Sequence, residues 1–250
     1  MRFLLVLMAS FLFSGPSIAA SPDEDIALYV KIFSSDPGLH SDAADTLAWK
    51  GLSDTRLFDL IEQRLLADQS AARNDRQEKN RVARYIGALG FSSQQKYAPA
   101  LQKFVRDSVY GRYADAAMKD LSNYQNWNAI ISNRSTFDAN YSDDANRVIN
   151  MLRSDDIFLQ RIGAKRVFFG EHEKDVLDYL AKLVSSKFPQ TINADQEYLD
   201  TFAWMVKGLG SSKDPQYLAL ISEIANTSRS VFLARHAKET LQRYYNVTIR

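Results

Sequence analysis

The stretch ARYIGALGFSSQQKYAPALQKFVRDSVYGRYADAAMKDLSNY, residues 83–124, recurs 120 residues later as AWMVKGLGSSKDPQYLALISEIANTSRSVFLARHAKETLQRY, residues 203–244. The two stretches align without a gap, and ten of their 42 positions are identical. Average composition alone would give roughly two or three matches. We therefore interpret them as two copies of an internal repeat. The identical pairs are Ala83/Ala203, Leu89/Leu209, Gly90/Gly210, Ser92/Ser212, Tyr97/Tyr217, Ser108/Ser228, Ala114/Ala234, Ala117/Ala237, Leu121/Leu241 and Tyr124/Tyr244.

Looser relatives of this repeat extend over most of the chain. In each one an apolar stripe at helical spacing leads to a glycine, and a second stripe follows after a short turn. These glycines, interpreted as helix ends, stand at positions 51, 90, 170 and 210, which indicates a unit of about 40 residues. Short links force paired helices to lie antiparallel. No alternating strand pattern occurs, so we predict an all-α fold with units at 41–70, 77–108, 110–135, 155–186 and 194–228 and a C-terminal helix at 229–245.

The unit at 110–135 departs from this pattern because it has no glycine at the expected position near residue 130. We expect its second helix to be short and Asn133–Ser142 to be an irregular insertion. Trp127 lies in this polar segment and is the aromatic residue most expected to be exposed. By contrast, Tyr97 and Tyr217 recur at one repeat position, and Tyr124 and Tyr244 at another. Each pair is expected to fill equivalent gaps between helices, with the hydroxyls at the rim.

A unit of this length, built as helix, glycine-bearing turn and helix, resembles the HEAT-type repeats. The resemblance rests on the pattern Ala-x5-Leu-Gly-x-Ser-x4-Tyr at residues 83–97 and 203–217, with looser relatives around Gly51 and Gly170. It covers most of residues 41–245. It implies an α-solenoid and, commonly, a protein-binding scaffold.

The first 20 residues have the form of a secretory signal peptide. Arg2 is followed by an apolar run, a Gly15-Pro16 break and the small-residue end Ser17-Ile18-Ala19-Ala20. The run is shorter than a membrane-spanning helix requires, so no stable membrane insertion is expected after cleavage. Residues 21–250 then form one repeat domain. Since the chain contains no cysteine, a bacterial periplasmic location is predicted, with secretion as the alternative.

Charge and motifs exclude several functional classes. Without Arg2 the chain carries 30 basic and 30 acidic residues, which argues against a nucleic-acid-binding domain. The sequence has no cysteine nucleophile, no nucleophile elbow and no glycine-rich phosphate loop. We therefore predict no catalytic residue, no cofactor and no metal site.

The leading hypothesis is a non-catalytic periplasmic scaffold that binds a protein or peptide partner. Stacked helix pairs generate an extended concave surface, here expected along the second helix of each unit. Polar residues beside the buried stripes of these helices are the candidate partner-binding residues: Arg64, Lys103, Arg106 and Lys182.

Two alternatives come from local clusters of charge. A metal-dependent envelope enzyme could be built around Glu171, His172 and Glu173, although acids in a first helical turn are also explained by the helix dipole. An anion-binding or envelope-binding module could use the cationic run Arg73–Arg84, in which Arg73, Arg76 and Arg84 share one side of a helix. The simpler interpretation of that run is a solvated face balanced by neighbouring acids.

Overall fold

The structure is a computed structural model that describes residues 22–69 and 75–247. The predicted signal peptide at 1–20 and Arg73 lie outside the described residues. Within them the chain forms twelve α-helices and no β-strand. The helices are α1 (Pro22–Phe33), α2 (His40–Thr46), α3 (Thr55–Asp68), α4 (Arg76–Phe91), α5 (Ala98–Gln102), α6 (Gly111–Ile131), α7 (Asp143–Arg153), α8 (Ile157–Phe168), α9 (Lys174–Lys187), α10 (Gln196–Ser211), α11 (Leu218–Thr227) and α12 (Val231–Tyr245).

The helices stack in two layers. In one layer α2 packs on α4 and α4 on α6, and likewise α8 packs on α10 and α10 on α12. In the other layer α1 contacts α3, and α7 contacts α9. Consecutive helices such as α3 and α4, α7 and α8, and α11 and α12 join the layers. This arrangement is an α-solenoid, and it confirms the predicted all-α fold of stacked helix pairs.

The duplication extends over the whole described chain. Helices α1–α6 and α7–α12 correspond one to one, and the starts of matched helices lie 117 to 121 residues apart. Each half has its own hydrophobic core, one formed between Ile26 and Leu121 and the other between Tyr124 and Leu241. The two cores meet within α6. The repeat at residues 83–124 is therefore part of a larger six-helix unit that occurs twice.

The repeated glycines at the ends of α4 and α10 have a different role from the one predicted. Gly90 and Gly210 lie inside the last helical turn, and neither has a positive φ. A Cβ atom on Gly90 would lie 2.8 Å from the Cα of Ala117 in α6, and one on Gly210 would lie 2.1 Å from Cγ2 of Thr240 in α12. These glycines are required for close helix packing rather than for chain reversal. Gly51 and Gly170 do have positive φ, at 64° and 131°.

The residues that end α4 and α10 are the serines that follow them, Ser92 and Ser212. The hydroxyl of Ser92 donates to the carbonyl of Leu89 at 2.6 Å and accepts from the amide of Gln94 at 3.2 Å. Ser212 makes the equivalent pair of bonds at the same two distances. The left-handed residue that follows is Ser93 in one copy and Lys213 in the other.

The tyrosines at the first repeat position behave as predicted. Tyr97 and Tyr217 are both buried, and their hydroxyls donate to carboxylates at the rim, Asp59 at 2.8 Å and Asp178 at 3.0 Å. At the second position the copies differ. Tyr124 is buried and donates to the carbonyl of Ala48, whereas its counterpart in α12 is only half-buried because α12 is the last described helix of its layer.

Trp127 is buried, and the prediction that it is exposed is wrong. Its side chain is only 5% exposed, and the indole N–H donates to Asp156 Oδ2 at 2.8 Å. The reason is that α6 continues for 21 residues and carries Trp127 on its buried face. Residues 110–135 thus contain one long helix, whose partner α7 begins only after the irregular segment at 133–142.

Candidate binding cleft

The segment 133–142, called the insertion below, connects α6 to α7 and contains only a short 3-10 turn, Arg134–Thr136. Two buried asparagines of α7, Asn146 and Asn150, lie one turn apart and face it. The side chain of Asn146 accepts from the amide of Asp138 at 2.7 Å and donates to the carbonyl of the same residue at 2.9 Å. The Asn146 side chain therefore bonds the backbone of the insertion at both its N–H and its C=O group, as a neighbouring β-strand would.

Asn150 fixes the other end of the insertion. Its carbonyl oxygen accepts from the hydroxyl of Thr136 at 2.7 Å, and its amide donates to the carbonyls of Ile130, Ile131 and Asn133 at 3.2 to 3.3 Å. Two of these carbonyls belong to the last turn of α6, where regular helical bonds run out, and the Ile130 carbonyl also accepts from the amide of Asn133 at 3.3 Å. One side chain thus caps a helix and orders the segment that leaves it.

A cleft of about 660 Å³ opens between the insertion, α7 and α9. Its lining residues are Ser135, Thr136, Phe137, Asp138, Ala139 and Tyr141 from the insertion, Asn146, Ile149 and Arg153 from α7, and Asp175, Asp178, Tyr179 and Lys182 from α9. Because Asn146 and Asn150 hold the insertion, its wall is formed in advance of any ligand.

Groups of both charges line this cleft. The guanidinium of Arg153 lies 5.8 Å from the ring centre of Tyr179, and the exposed Lys182 stands one turn further along α9. On the acidic side, Asp178 is hydrogen-bonded by Lys174 and Tyr217. The bond from Lys174 holds the pKa of this carboxyl below its usual range, so it is ionised at neutral pH.

The structure does not bring the four predicted partner-binding residues together. Lys182 lines the cleft, but Arg64 donates through Nε to the carbonyl of Phe33 at 3.0 Å and is partly covered by the end of α1. Lys103 and Arg106 are exposed beyond α5, where Lys103 lines a separate cleft of about 600 Å³.

The side chains of Glu171, His172 and Glu173 point to three different partners. Glu171 pairs with Arg166 at 3.1 Å, His172 Nε2 lies 3.1 Å from the hydroxyl of Ser211, and Glu173 accepts from Ser142 at 2.6 Å. Burial raises the pKa of the Glu171 carboxyl. Within residues 22–69 and 75–247 no three or more His, Asp or Glu side chains come together as metal ligands could.

The cationic run at the start of α4 is largely neutralised by acids of neighbouring helices. Arg84 pairs with Asp45 of α2 at 2.6 Å, and Arg81 pairs with Asp68 of α3 at 3.0 Å. Arg76 is the first residue of α4 and is exposed. The simpler interpretation of this run, a solvated face balanced by acids, is therefore the better description of its described part.

A buried ionic network joins the first half of the chain to α7. Arg147 bonds Asp25 of α1 at 2.5 Å and Asp144 at 2.9 Å, and Lys50 bonds Asp144 at 2.6 Å. Burial raises the pKa of Asp144, but Lys50 and Arg147 outweigh that effect and hold it below the usual range.

Sequence reasoning missed the two asparagines that hold the insertion. A signal was present, because Asn146 and Asn150 are spaced by one helical turn and flank the apolar residues Val148 and Ile149. A buried amide must find hydrogen-bond partners. The pattern therefore indicates that an irregular backbone lies against α7.

No protein-family model matches this chain, and no curated protein sequence matches it either. Among solved structures it is similar to human deoxyhypusine hydroxylase in complex with glycerol, with a TM-score of 0.38 and 15% sequence identity over 89% of this chain and 85% of that chain. A likeness at this level transfers neither an activity nor a site. Among the described residues, no helix combines the length and apolar character needed to cross a bilayer.

Proposed function

We propose that this protein is a non-catalytic periplasmic scaffold of the HEAT-like type that binds an extended peptide segment of a partner protein. The observation that carries the proposal is the cleft of about 660 Å³ between the insertion, α7 and α9. It lies where the regular succession of helices is interrupted, and repeat proteins commonly carry binding residues in such insertions.

The chemistry of the cleft suits a peptide better than an apolar small molecule. Small-molecule pockets are lined mainly by apolar side chains, whereas this cleft exposes charged and hydroxyl groups beside a few aromatic rings. Arg153 and Lys182 would receive acidic side chains, and Asp175 would receive a basic one. Phe137, Tyr141 and Tyr179 add aromatic surface for the peptide's apolar groups.

Site-specific cross-linking in intact cells of the native host tests this proposal. A photo-reactive amino acid placed at the exposed Ala139 of the cleft should capture one discrete partner, whereas the same probe at the exposed Ala116 of α6 should not. The double substitution Arg153→Glu and Lys182→Glu should abolish capture at Ala139.

The matched control for charge reversal is Lys31→Glu with Lys119→Glu, at two exposed lysines outside the cleft. This control should retain the captured partner. If the cleft variant captured the partner as well as the control did, the cleft would not be the binding site. Export is tested separately. The protein purified from the periplasmic fraction should have Ser21 as its first residue in Edman sequencing.

A further inference from the structure

Aromatic side chains on three neighbouring helices of the second half, α8, α10 and α12, form two groups of ring contacts, together called the strip below. Phe168 and Phe169 lie with their ring centres 5.3 Å and 6.5 Å from that of Trp204 in α10. On α12, the ring of Phe232 lies 4.5 Å from that of His236. Phe169 is 64% exposed, so the strip is open to solvent at its α8 end.

Basic groups lie directly against these rings. The ammonium groups of Lys165 and Lys207 stand 5.1 Å and 4.8 Å from the ring centre of Trp204, and Arg235 stands 5.7 Å from that of Phe232. Helices α10 and α12 pack directly on each other. Burial lowers the pKa of His236, and the charge of Lys207 lowers it further. The basic–aromatic strip is defined here as Phe168, Phe169, Trp204 and Phe232 with Lys165, Lys207, Arg235 and His236.

Neither of the two lysines beside Trp204 forms an ion pair within the described residues, although Asp200, which pairs with Arg161, also acts on the charge of Lys165. Arg235 is balanced by Glu239 at 3.9 Å, and Arg161 pairs with Asp200 at 3.2 Å. In the described part of the chain, no carboxylate lies within 4.0 Å of the ammonium nitrogen of Lys165 or Lys207. Both lysines are half-buried, and burial lowers the pKa of Lys165. A partly desolvated ammonium group that forms no ion pair attracts an incoming anion.

We infer that the basic–aromatic strip docks this protein onto the surface of an anionic phospholipid bilayer. Lysines beside tryptophan and exposed phenylalanine are the groups that bind at a membrane interface, where the rings enter the headgroup region and the ammonium groups meet lipid phosphates. Charge complementarity favours an anionic bilayer, since the ammonium groups of Lys165 and Lys207 form no ion pair in the described part of the chain and lie near the exposed ring of Phe169. The contact is peripheral, and it uses a different helix layer from the cleft.

Vesicle co-sedimentation with the mature chain tests the inference. Vesicles of phosphatidylglycerol and phosphatidylcholine in about equal amounts should bind the protein, and phosphatidylcholine alone should not. Raising the salt from about 0.1 M to about 0.5 M should release it, because screening shortens the reach of surface charge. Phe169→Ser should weaken binding as well. Each lysine near an anionic surface contributes roughly a factor of five, so Lys165→Gln with Lys207→Gln should bind about 30-fold more weakly.

The control is Lys31→Gln with Lys119→Gln, which removes the same charge from exposed positions outside the strip. It should bind like the wild type, and circular dichroism should show that all variants are folded. The inference is overturned if the wild type ignores phosphatidylglycerol vesicles or if the strip variant binds as the control does. Binding that soluble glycerol phosphate abolishes, and that Phe169→Ser leaves unchanged, would assign the lysines to a free phosphate ligand and overturn the membrane assignment.

Discussion

At the scale of single residues, the distance between packed helices explains why glycine occurs at the same position in both copies of the repeat. Gly90 and Gly87 both lie in α4, but only Gly90 faces a neighbouring backbone. A Cβ at Gly90 would lie 2.9 Å from the carbonyl oxygen of Ala117, and a backbone atom cannot rotate away. Nothing lies within 4 Å of a Cβ at Gly87.

The pair gives a direct stability prediction. Gly90→Ala should lower the free energy of unfolding by about 1–3 kcal/mol, because α4 and α6 must move apart. Gly87→Ala should raise it by about 0.5–1 kcal/mol, because alanine loses less backbone entropy than glycine in a helix. Urea denaturation of the two variants measures both. Equal stability of Gly90→Ala and the wild type would disprove the close approach of α4 to α6.

At the scale of elements, α7 links the helical repeat to the candidate cleft. One face of α7 packs in the second hydrophobic core through Val148, Met151 and Leu152. Another presents Asn146 and Asn150 to the insertion. The cleft wall therefore depends on side-chain amides as well as on the packing of Tyr141 against the second core. The amides supply the hydrogen bonds that an irregular segment cannot make as part of a helix or sheet.

Asn150→Ala should release the insertion while leaving the helices folded. The substitution removes one partner of the Thr136 hydroxyl and one partner of each of the carbonyls of Ile130, Ile131 and Asn133. We expect a loss of about 1–3 kcal/mol in the free energy of unfolding. Amide hydrogen exchange within 134–141 should accelerate more than exchange in α9. Asn140→Ala is the matched control, because Asn140 is exposed and bonds only Asp138 within the insertion. Slow exchange in the Asn150 variant would refute the anchoring role.

At the scale of the whole molecule, the two six-helix halves are joined by polar contacts as well as by α6. Arg147 of the second half bonds Asp25 of the first, and Lys50 of the first half bonds Asp144 of the second. Arg147 is 4% exposed, so removing it would leave the buried Asp25 carboxylate with only Lys50, 4.0 Å away, as a counterion.

Arg147→Met should destabilise the protein by about 3–5 kcal/mol at pH 7, as expected when one partner of a buried ion pair is removed. Arg56→Met is the control, since its ion pairs with Asp23 and Asp54 are exposed and should contribute little to stability. Guanidinium denaturation measures both. A loss in the Arg147 variant no larger than in the Arg56 control would contradict the role of the network.

The same network predicts a pH dependence. The pKa of Asp144 is lower in the folded state than its ordinary value near 4. Its stabilising contribution is therefore fully present above that ordinary value and is lost as the pH falls through the folded-state pKa. The wild type should lose stability as the pH falls below about 4. Lys50→Met should reduce that dependence, as denaturation series at several pH values would show.

Much of the fold could be predicted from the chain alone, and the reason is that its signals are local. Helical spacing of apolar residues, serine or aspartate at helix starts and the internal repeat depend on residues a few positions apart. Tyr97 and Tyr217 were correctly placed because identical residues in identical surroundings fill the same gap. The role of Gly90 is not predictable in this way, because it depends on Ala117, which lies on another helix.

The candidate sites were much less predictable, since each depends on which helix faces meet. Trp127 is buried by a helix longer than its polar sequence indicated, and Lys182 is the one predicted partner-binding residue that lines the cleft. Local sequence was enough to establish an all-α chain of repeated helix pairs. Tertiary packing alone decided that Asn150 meets Thr136 and that Lys165 of α8 meets Trp204 of α10. Such contacts bring together distant residues, and no short-range pattern encodes them.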